Sequence, residues 1–122
     1  MVILFYLVLM IIYTKDLNMQ NHTKVYFNFF NYDISDSYIP CEMCNAKAID
    51  IHHIEKRIKT KNDFIENLVA LCRECHINAE SDTMFNMYCK IKHLENVCHQ
   101  VYALIDLEKK LKKNENKRNK NK

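Results

Sequence analysis

The chain has 122 residues and a formal charge of +3, with no glycine and a single proline, Pro40. That length holds one small domain with an extension and excludes two full domains. The charge is concentrated: from Lys109 to Lys122 seven lysines and one arginine face only Glu115, a net of +7, which leaves residues 1–108 at −4.

Residues 1–13, MVILFYLVLMIIY, form an unbroken apolar run. A spanning helix needs roughly 18–20 such residues, and this run is shorter. No positive charge precedes it and no small-residue cleavage site comes after it, so it makes a poor signal peptide. Three readings stand: a short membrane anchor, a buried N-terminal element, or upstream sequence translated from an early start, with Met10 and Met19 as alternative starts. Residues 1–23 are therefore set apart from the domain proper, and a membrane is not the expected partner.

Residues 24–32, KVYFNFFNY, are aromatic and partly alternating, the pattern of a strand or of a short packing helix. Asp33 to Ser37 form a turn or cap. In a chain without glycine, turns fall to Asn and Asp, which tolerate left-handed backbone. Ala48 to Ile54 is expected as a strand and Lys56 to Asp63 as a charged loop. Leu68 to Leu71 is a short apolar strand, and a helix begins at Arg73. The fold class is α+β.

From Met84 the apolar residues are Met84, Met87, Ile91, Leu94, Cys98, Val101 and Ile105, spaced alternately by three and four. That predicts an amphipathic helix over 84–108. Its stripe either folds back to supply the small core or forms a coiled-coil seam between two copies over 84–105. The basic residues 109–122 are expected to be a disordered tail, which attracts a polyanion or simply keeps the chain soluble.

Six cysteines admit a disulfide framework, but four of them form Cys41-x-x-Cys44 and Cys72-x-x-Cys75, which is metal-ligand spacing. Cys89 and Cys98 fall on the helix as small apolar residues. The expected compartment is reducing and cytoplasmic. Two such knuckles close a tetrahedron of thiolates around a structural Zn²⁺, a better account than an iron–sulfur cluster or redox dithiol because neither explains the neighbouring histidines. The 27 residues between Cys44 and Cys72 exceed the usual 15–20 of a zinc ribbon. The inserted segment carries His52, His53 and Asn67, and His76 comes directly after the second knuckle. Adjacent strand residues point to opposite faces, so His52 and His53 cannot share one ion: one can bind metal while the other faces substrate as a base.

The string CEMCNAKAIDIHHIEKR…NDFIENLVALCRECHINAE resembles the HNH endonuclease family, in the cysteine-bearing form common among phage and mobile-element proteins. The match runs from Ile39 to Glu80, about a third of the chain. The resemblance implies a ββα-metal fold over residues 24–83 and metal-dependent cleavage of phosphodiester bonds in DNA, by nicking or by cutting both strands. It implies His53 as general base, His52 and His76 as ligands of one divalent ion, and Cys41, Cys44, Cys72 and Cys75 as structural zinc ligands. Asn67 takes the middle position, either binding metal or orienting the base. Histidine ligands favour Zn²⁺, Ni²⁺, Mn²⁺ or Co²⁺, with Mg²⁺ usable at high concentration.

Many relatives carry a Gly-Gly turn after the catalytic strand; here Lys56 to Lys61 replace it. Arg57, Lys59 and Lys61 in that loop are candidate phosphate contacts, against the plainer possibility of a solvated charged loop. The alternative function is a non-catalytic, zinc-stabilised nucleic-acid-binding module. A membrane-tethered or exported nuclease toxin is a third, resting wholly on the apolar run.

Overall fold

The structure is a computed structural model that describes residues 2–4, 20–56 and 62–122. Most of the apolar N-terminal run lies outside the described residues, as do Arg57, Lys59 and Lys61. The segment that could have been strand or helix is helix α1, Asn21–Phe29. Strand β1, Asp50–His53, pairs antiparallel with β2, Leu68–Leu71, which comes after a single 3-10 turn at Ile65–Asn67. Helix α2, Arg73–Ser81, and helix α3, Thr83–Lys120, complete the order.

Two strands cannot bury themselves, and here a helix covers each face of the sheet. Leu68 and Ala70 of β2 point towards α1 and pack with Tyr26, Val25, Phe27 and Ile51. Val69 and Leu71 point the other way, into a cluster with Ile54, Cys72, Cys75, Ala79 and Cys89. All four residues of β2 are buried, as expected for a strand covered on both faces. The register pairs His52 with Val69 and His53 with Leu68, which sends His52 to the α2 side and His53 to the α1 side. A slip of one residue would exchange those faces, so packing of the Leu68–Leu71 run also orients the two imidazoles.

Asparagine takes over the work of glycine. Asn31, with φ of 58°, ends α1: Tyr32 N–H donates to the carbonyl of Phe27 at 2.8 Å. That is the six-to-one bond of a helix terminus closed by a left-handed residue. Asn45, with φ of 64°, turns the first cysteine knuckle, where Asn45 N–H donates to the Cys41 carbonyl at 2.9 Å. Asp82 separates α2 from α3 by adopting extended backbone, and its side chain accepts from Met84 N–H and Phe85 N–H.

Helix α3 corrects two expectations. It does not stop at residue 108: the basic stretch is helical through Lys120, and its last turn places Lys117, Arg118 and Lys120 at the negative end of the helix dipole. Its 38 residues reach about 57 Å at 1.5 Å per residue. The apolar stripe also does not supply the core. The face laid on the domain runs through Phe85, Asn86, Cys89, His93 and Asn96, while Met84, Met87, Ile91, Leu94, Val101 and Ile105 stay exposed. Polar bonds act beside the apolar contacts of Phe85 and Cys89 in selecting that face. His93 is wholly buried; its Nδ1 lies 2.9 Å from Glu42 and its Nε2 donates to the carbonyl of Ile65. Among the described residues no helix is long and apolar enough to cross a membrane.

Candidate metal centres and active site

The two knuckles meet at one point. Cys41, Cys44, Cys72 and Cys75 each bring a sulfur within 4.8 Å of the others, and the Cys44 and Cys72 sulfurs are 3.6 Å apart. An antiparallel bridge between Pro40 and Lys47 closes the first knuckle, and Cys72 caps α2 by accepting from Cys75 N–H. Burial would raise the Cys41 thiol, but the N–H groups of Cys72, Met43 and Cys44 outweigh it and hold the thiol below its usual range. Burial and its three cysteine neighbours push Cys75 far up. Four thiolates so close repel one another, and a divalent cation removes that conflict. The donor set fits a closed, structural zinc.

A second cluster lies on the α2 side of β1. His52, His76 and Glu80 bring one donor atom each within 4.8 Å of one another, and the rings of His52 and His76 are 4.9 Å apart. Neighbouring groups set the tautomers. Asn86 donates from Nδ2 to the carbonyl of Ile54 at 2.8 Å, which turns its Oδ1 towards His52 Nε2 at 3.0 Å. An oxygen acceptor there requires Nε2 to carry the proton and leaves the lone pair on Nδ1. Likewise Asp50 accepts from His76 Nδ1 at 3.0 Å, leaving Nε2, 3.2 Å from Glu80 Oε1, as the coordinating atom. Carboxylate or amide partners on the far ring nitrogen are the usual outer shell of metal-binding imidazoles. Burial holds His52 below the ordinary imidazole range, against the opposing bond to Asn86, so it stays neutral at pH 7. Two imidazoles and one carboxylate fit a divalent transition metal with positions left open.

On the α1 side, His53 Nε2 lies 2.8 Å from Asp63 Oδ1. With the proton on Nε2, donated to the carboxylate, the ring keeps its lone pair on Nδ1. Asn67 does not enter either cluster. Its Oδ1 accepts from Glu55 N–H at 2.7 Å, and its Nδ2 donates to the carbonyls of Glu55 and Asn62 at 3.1 and 3.0 Å. The amide is thereby committed to the two ends of the loop that separates His53 from Asp63.

The structure thus brings together His52 with His76, and sets His53 apart from them. Glu80, Asp50, Asn86, Asp63 and His22 were missed by reading the sequence. Glu80 had a signal, four residues after His76 on a helix and hence on its face. Asp50 had one too, two residues before His52 on a strand. Asp63 and Asn86 had none: Asp63, ten residues on from His53, returns to it only through the fold of the connection between them, and Asn86 comes from 34 residues away. Arg57, Lys59 and Lys61 lie outside the described residues.

Residues 41–82 match the family model described as HNH endonuclease. Over this segment the chain is similar to the HNH endonuclease family. The segment spans both knuckles, both strands and α2, and so contains every member of the His52 cluster. No curated protein and no solved structure matches the chain.

Proposed function

We propose that the chain is a metal-dependent endonuclease that hydrolyses phosphodiester bonds in DNA, by nicking or by cutting both strands. The observation that carries this reading is the division of labour on β1: His52 faces two further ligands, and His53, one residue on, faces the Asp63 carboxylate.

In this mechanism His53 Nδ1 takes a proton from the attacking water while Asp63 holds the Nε2 proton. Positioned acid–base groups of this kind contribute about 10²–10⁴-fold. Asn67 is a positioning residue, fixing the loop ends that bring Asp63 to His53. His52, His76 and Glu80 hold the catalytic ion, which is Mg²⁺, Mn²⁺, Ni²⁺ or Zn²⁺; the two imidazoles favour the transition metals. When bound, the ion supplies charge neutralisation at the phosphate and at the departing oxygen. Cys41, Cys44, Cys72 and Cys75 hold a structural Zn²⁺ that locks the knuckles under the sheet.

DNA is the partner, drawn electrostatically by Lys109–Lys122 and, in the loop, by Arg57, Lys59 and Lys61. The exposed stripe of α3 is the surface through which two copies would pair as a homodimer, leaving both domains free to meet a duplex.

The test is nicking of supercoiled plasmid with Mg²⁺, Mn²⁺, Ni²⁺ or EDTA, beside the His53→Ala variant. Metal-dependent nicking lost in the variant is the expected result. No cleavage with any metal, together with retained DNA binding, would replace this reading with the non-catalytic binding module.

A further inference from the structure

The α1 side of β1 holds a third group of metal-ligating side chains. His22 from the first turn of α1, His53 from β1 and Asp63 before the 3-10 turn each bring one donor atom within 4.8 Å of the others. The rings of His22 and His53 are 4.9 Å apart and tilted by 56°. Asn21 Nδ2 donates to Asp63 Oδ2 at 3.0 Å, which fixes the carboxylate and leaves Oδ1 directed at His53. The side chains of His53 and Asp63 are only 15% and 6% exposed, so few waters compete for the donors. A cavity of about 170 Å³ is lined in part by one of the three, His22. Ligand identity, ligand number and an orienting outer hydrogen bond are features that a metal site requires.

We propose that His22, His53 and Asp63 form a second transition-metal site, and that Zn²⁺ bound there switches the nuclease off. The switch rests on the assignment of His53 as base; the site does not. In the ion-free protein His53 carries its proton on Nε2 and its lone pair on Nδ1. Coordination through Nε2, the atom facing Asp63, uses the Nε2 lone pair and moves the proton to Nδ1. The ring gains and loses no proton overall, but the nitrogen that accepts from water becomes an N–H donor. Asp63 is drawn from the Nε2 proton to the ion at the same time. Mg²⁺ prefers oxygen ligands and a near-complete water shell, so a site with two imidazoles discriminates against it and in favour of Zn²⁺.

The full chain is tested by zinc stoichiometry and by zinc inhibition. Equilibrium dialysis against buffered Zn²⁺ with elemental analysis is expected to give three ions per wild-type chain and two for both His22→Gln and Asp63→Asn. Cleavage of plasmid at fixed Mn²⁺ is then measured as Zn²⁺ is raised. Displacement of Mn²⁺ from the His52 cluster inhibits wild type and His22→Gln alike, so the difference between them reports the new site. His22→Gln is expected to need at least tenfold more Zn²⁺ for half inhibition. Equal stoichiometry in wild type and both variants overturns the site; a lower stoichiometry with an unchanged inhibition curve overturns the switch. His53→Ala separates the two readings: cleavage that survives it removes the base assignment, while its zinc count still reports whether the third ion was there. Circular dichroism of each variant guards against a count lowered by misfolding, and Asp63→Asn, which lies off α1, supplies the count if His22→Gln fails to fold.

Discussion

His52 and His53 are neighbours in sequence and yet belong to different sites, because β1 sends His52 towards His76 at a ring separation of 4.9 Å and His53 towards Asp63 at 2.8 Å. The strand acts as a partition between the proposed ligand and the proposed base. The first expected consequence is that His53→Ala lowers cleavage by at least 100-fold, within the range for a lost acid–base group, while the zinc held by the four cysteines and the far-ultraviolet dichroism stay at wild-type values. Asp63→Asn keeps the shape and weakens the orientation, so kcat should fall about tenfold or more with a smaller change in KM. Steady-state cleavage of a short labelled duplex separates the two parameters, and an unchanged kcat in Asp63→Asn would remove Asp63 from the mechanism.

Glu80 extends the ligand set that the family motif names. Glu80→Ala leaves His52 and His76 in place but removes one anionic donor, so the metal concentration for half-maximal cleavage should rise about 10–100-fold while the rate at saturating metal recovers much of its wild-type value. Asp50→Asn should act the same way more weakly, because it changes only the partner of His76 Nδ1, and outer partners tune affinity by about 10–100-fold at most. A metal titration read out by cleavage decides this. A Glu80→Ala protein with wild-type metal dependence would confine the site to the two histidines.

How far the sequence discloses this site depends on the range of each interaction. The knuckles and the partition of His52 from His53 depend on spacings of one to three residues, and a strand or knuckle expresses such spacings directly. The bond from Asn86 reaches β1 from 34 residues away, that from Asp63, ten residues on from His53, depends on how the connection between them folds, and nothing in the local pattern marks either. The α3 stripe misled for a physical reason. Apolar periodicity shows which residues share a face, but here the face that docks carries only Phe85 and Cys89 into the apolar cluster and is otherwise held by hydrogen bonds from His93 and Asn96 to Glu42, residues that ordinary patterning assigns to solvent. Expected disorder after residue 108 rested on charge alone, while a long helix tolerates that charge at its C-terminal end.

The Glu42 network is open to a stability test. Glu42 accepts from His93, from Asn96 Nδ2 at 2.7 Å, from Tyr26 Oη at 3.0 Å and from Ala70 N–H at 3.2 Å. Burial acts to raise its carboxyl, but the bond from His93 and then those from Asn96 and Tyr26 outweigh it, and the group sits below its ordinary value of 4.5. A depressed carboxyl contributes stability that is present above pH 4.5 and is lost as pH falls through the lower folded value. Glu42→Gln should therefore cost about 2–3 kcal/mol at pH 7, with the gap to wild type narrowing only below pH 4.5. Urea unfolding of the zinc-loaded proteins across pH 4–7 measures it; a gap that widens on acidification has the wrong sign for this account.

Zinc removal should unfold the domain. The four cysteines tie the 40–47 knuckle to the start of α2, with Met43 adding apolar packing against the same cluster. Structural zinc contributes about 10 kcal/mol or more in small domains, which exceeds what two short strands and their helices supply. Cys41→Ser or Cys75→Ser, or a strong chelator, is expected to abolish the sheet signal in hydrogen exchange at Leu68–Leu71 while helical dichroism from the outer part of α3 persists in part. A folded Cys75→Ser protein free of zinc would show that the cluster is not structural.

The distal half of α3 makes the last test. Of the seven lysines and one arginine between Lys109 and Lys122, all but Lys122 are carried on the exposed distal part of the helix. A rigid arm and a loose tail of the same charge both attract DNA, but only the arm presents its charges at fixed distances from the active site. Truncation after residue 108 should weaken duplex binding and flatten the dependence of log K on log salt by about 0.9 for each phosphate that the arm had neutralised. It should leave kcat on a saturating short duplex close to wild type, since no member of the three clusters lies beyond residue 86. Binding by fluorescence anisotropy at several salt concentrations measures the slope. An unchanged slope would mean that the charged arm keeps the protein in solution and does not touch DNA.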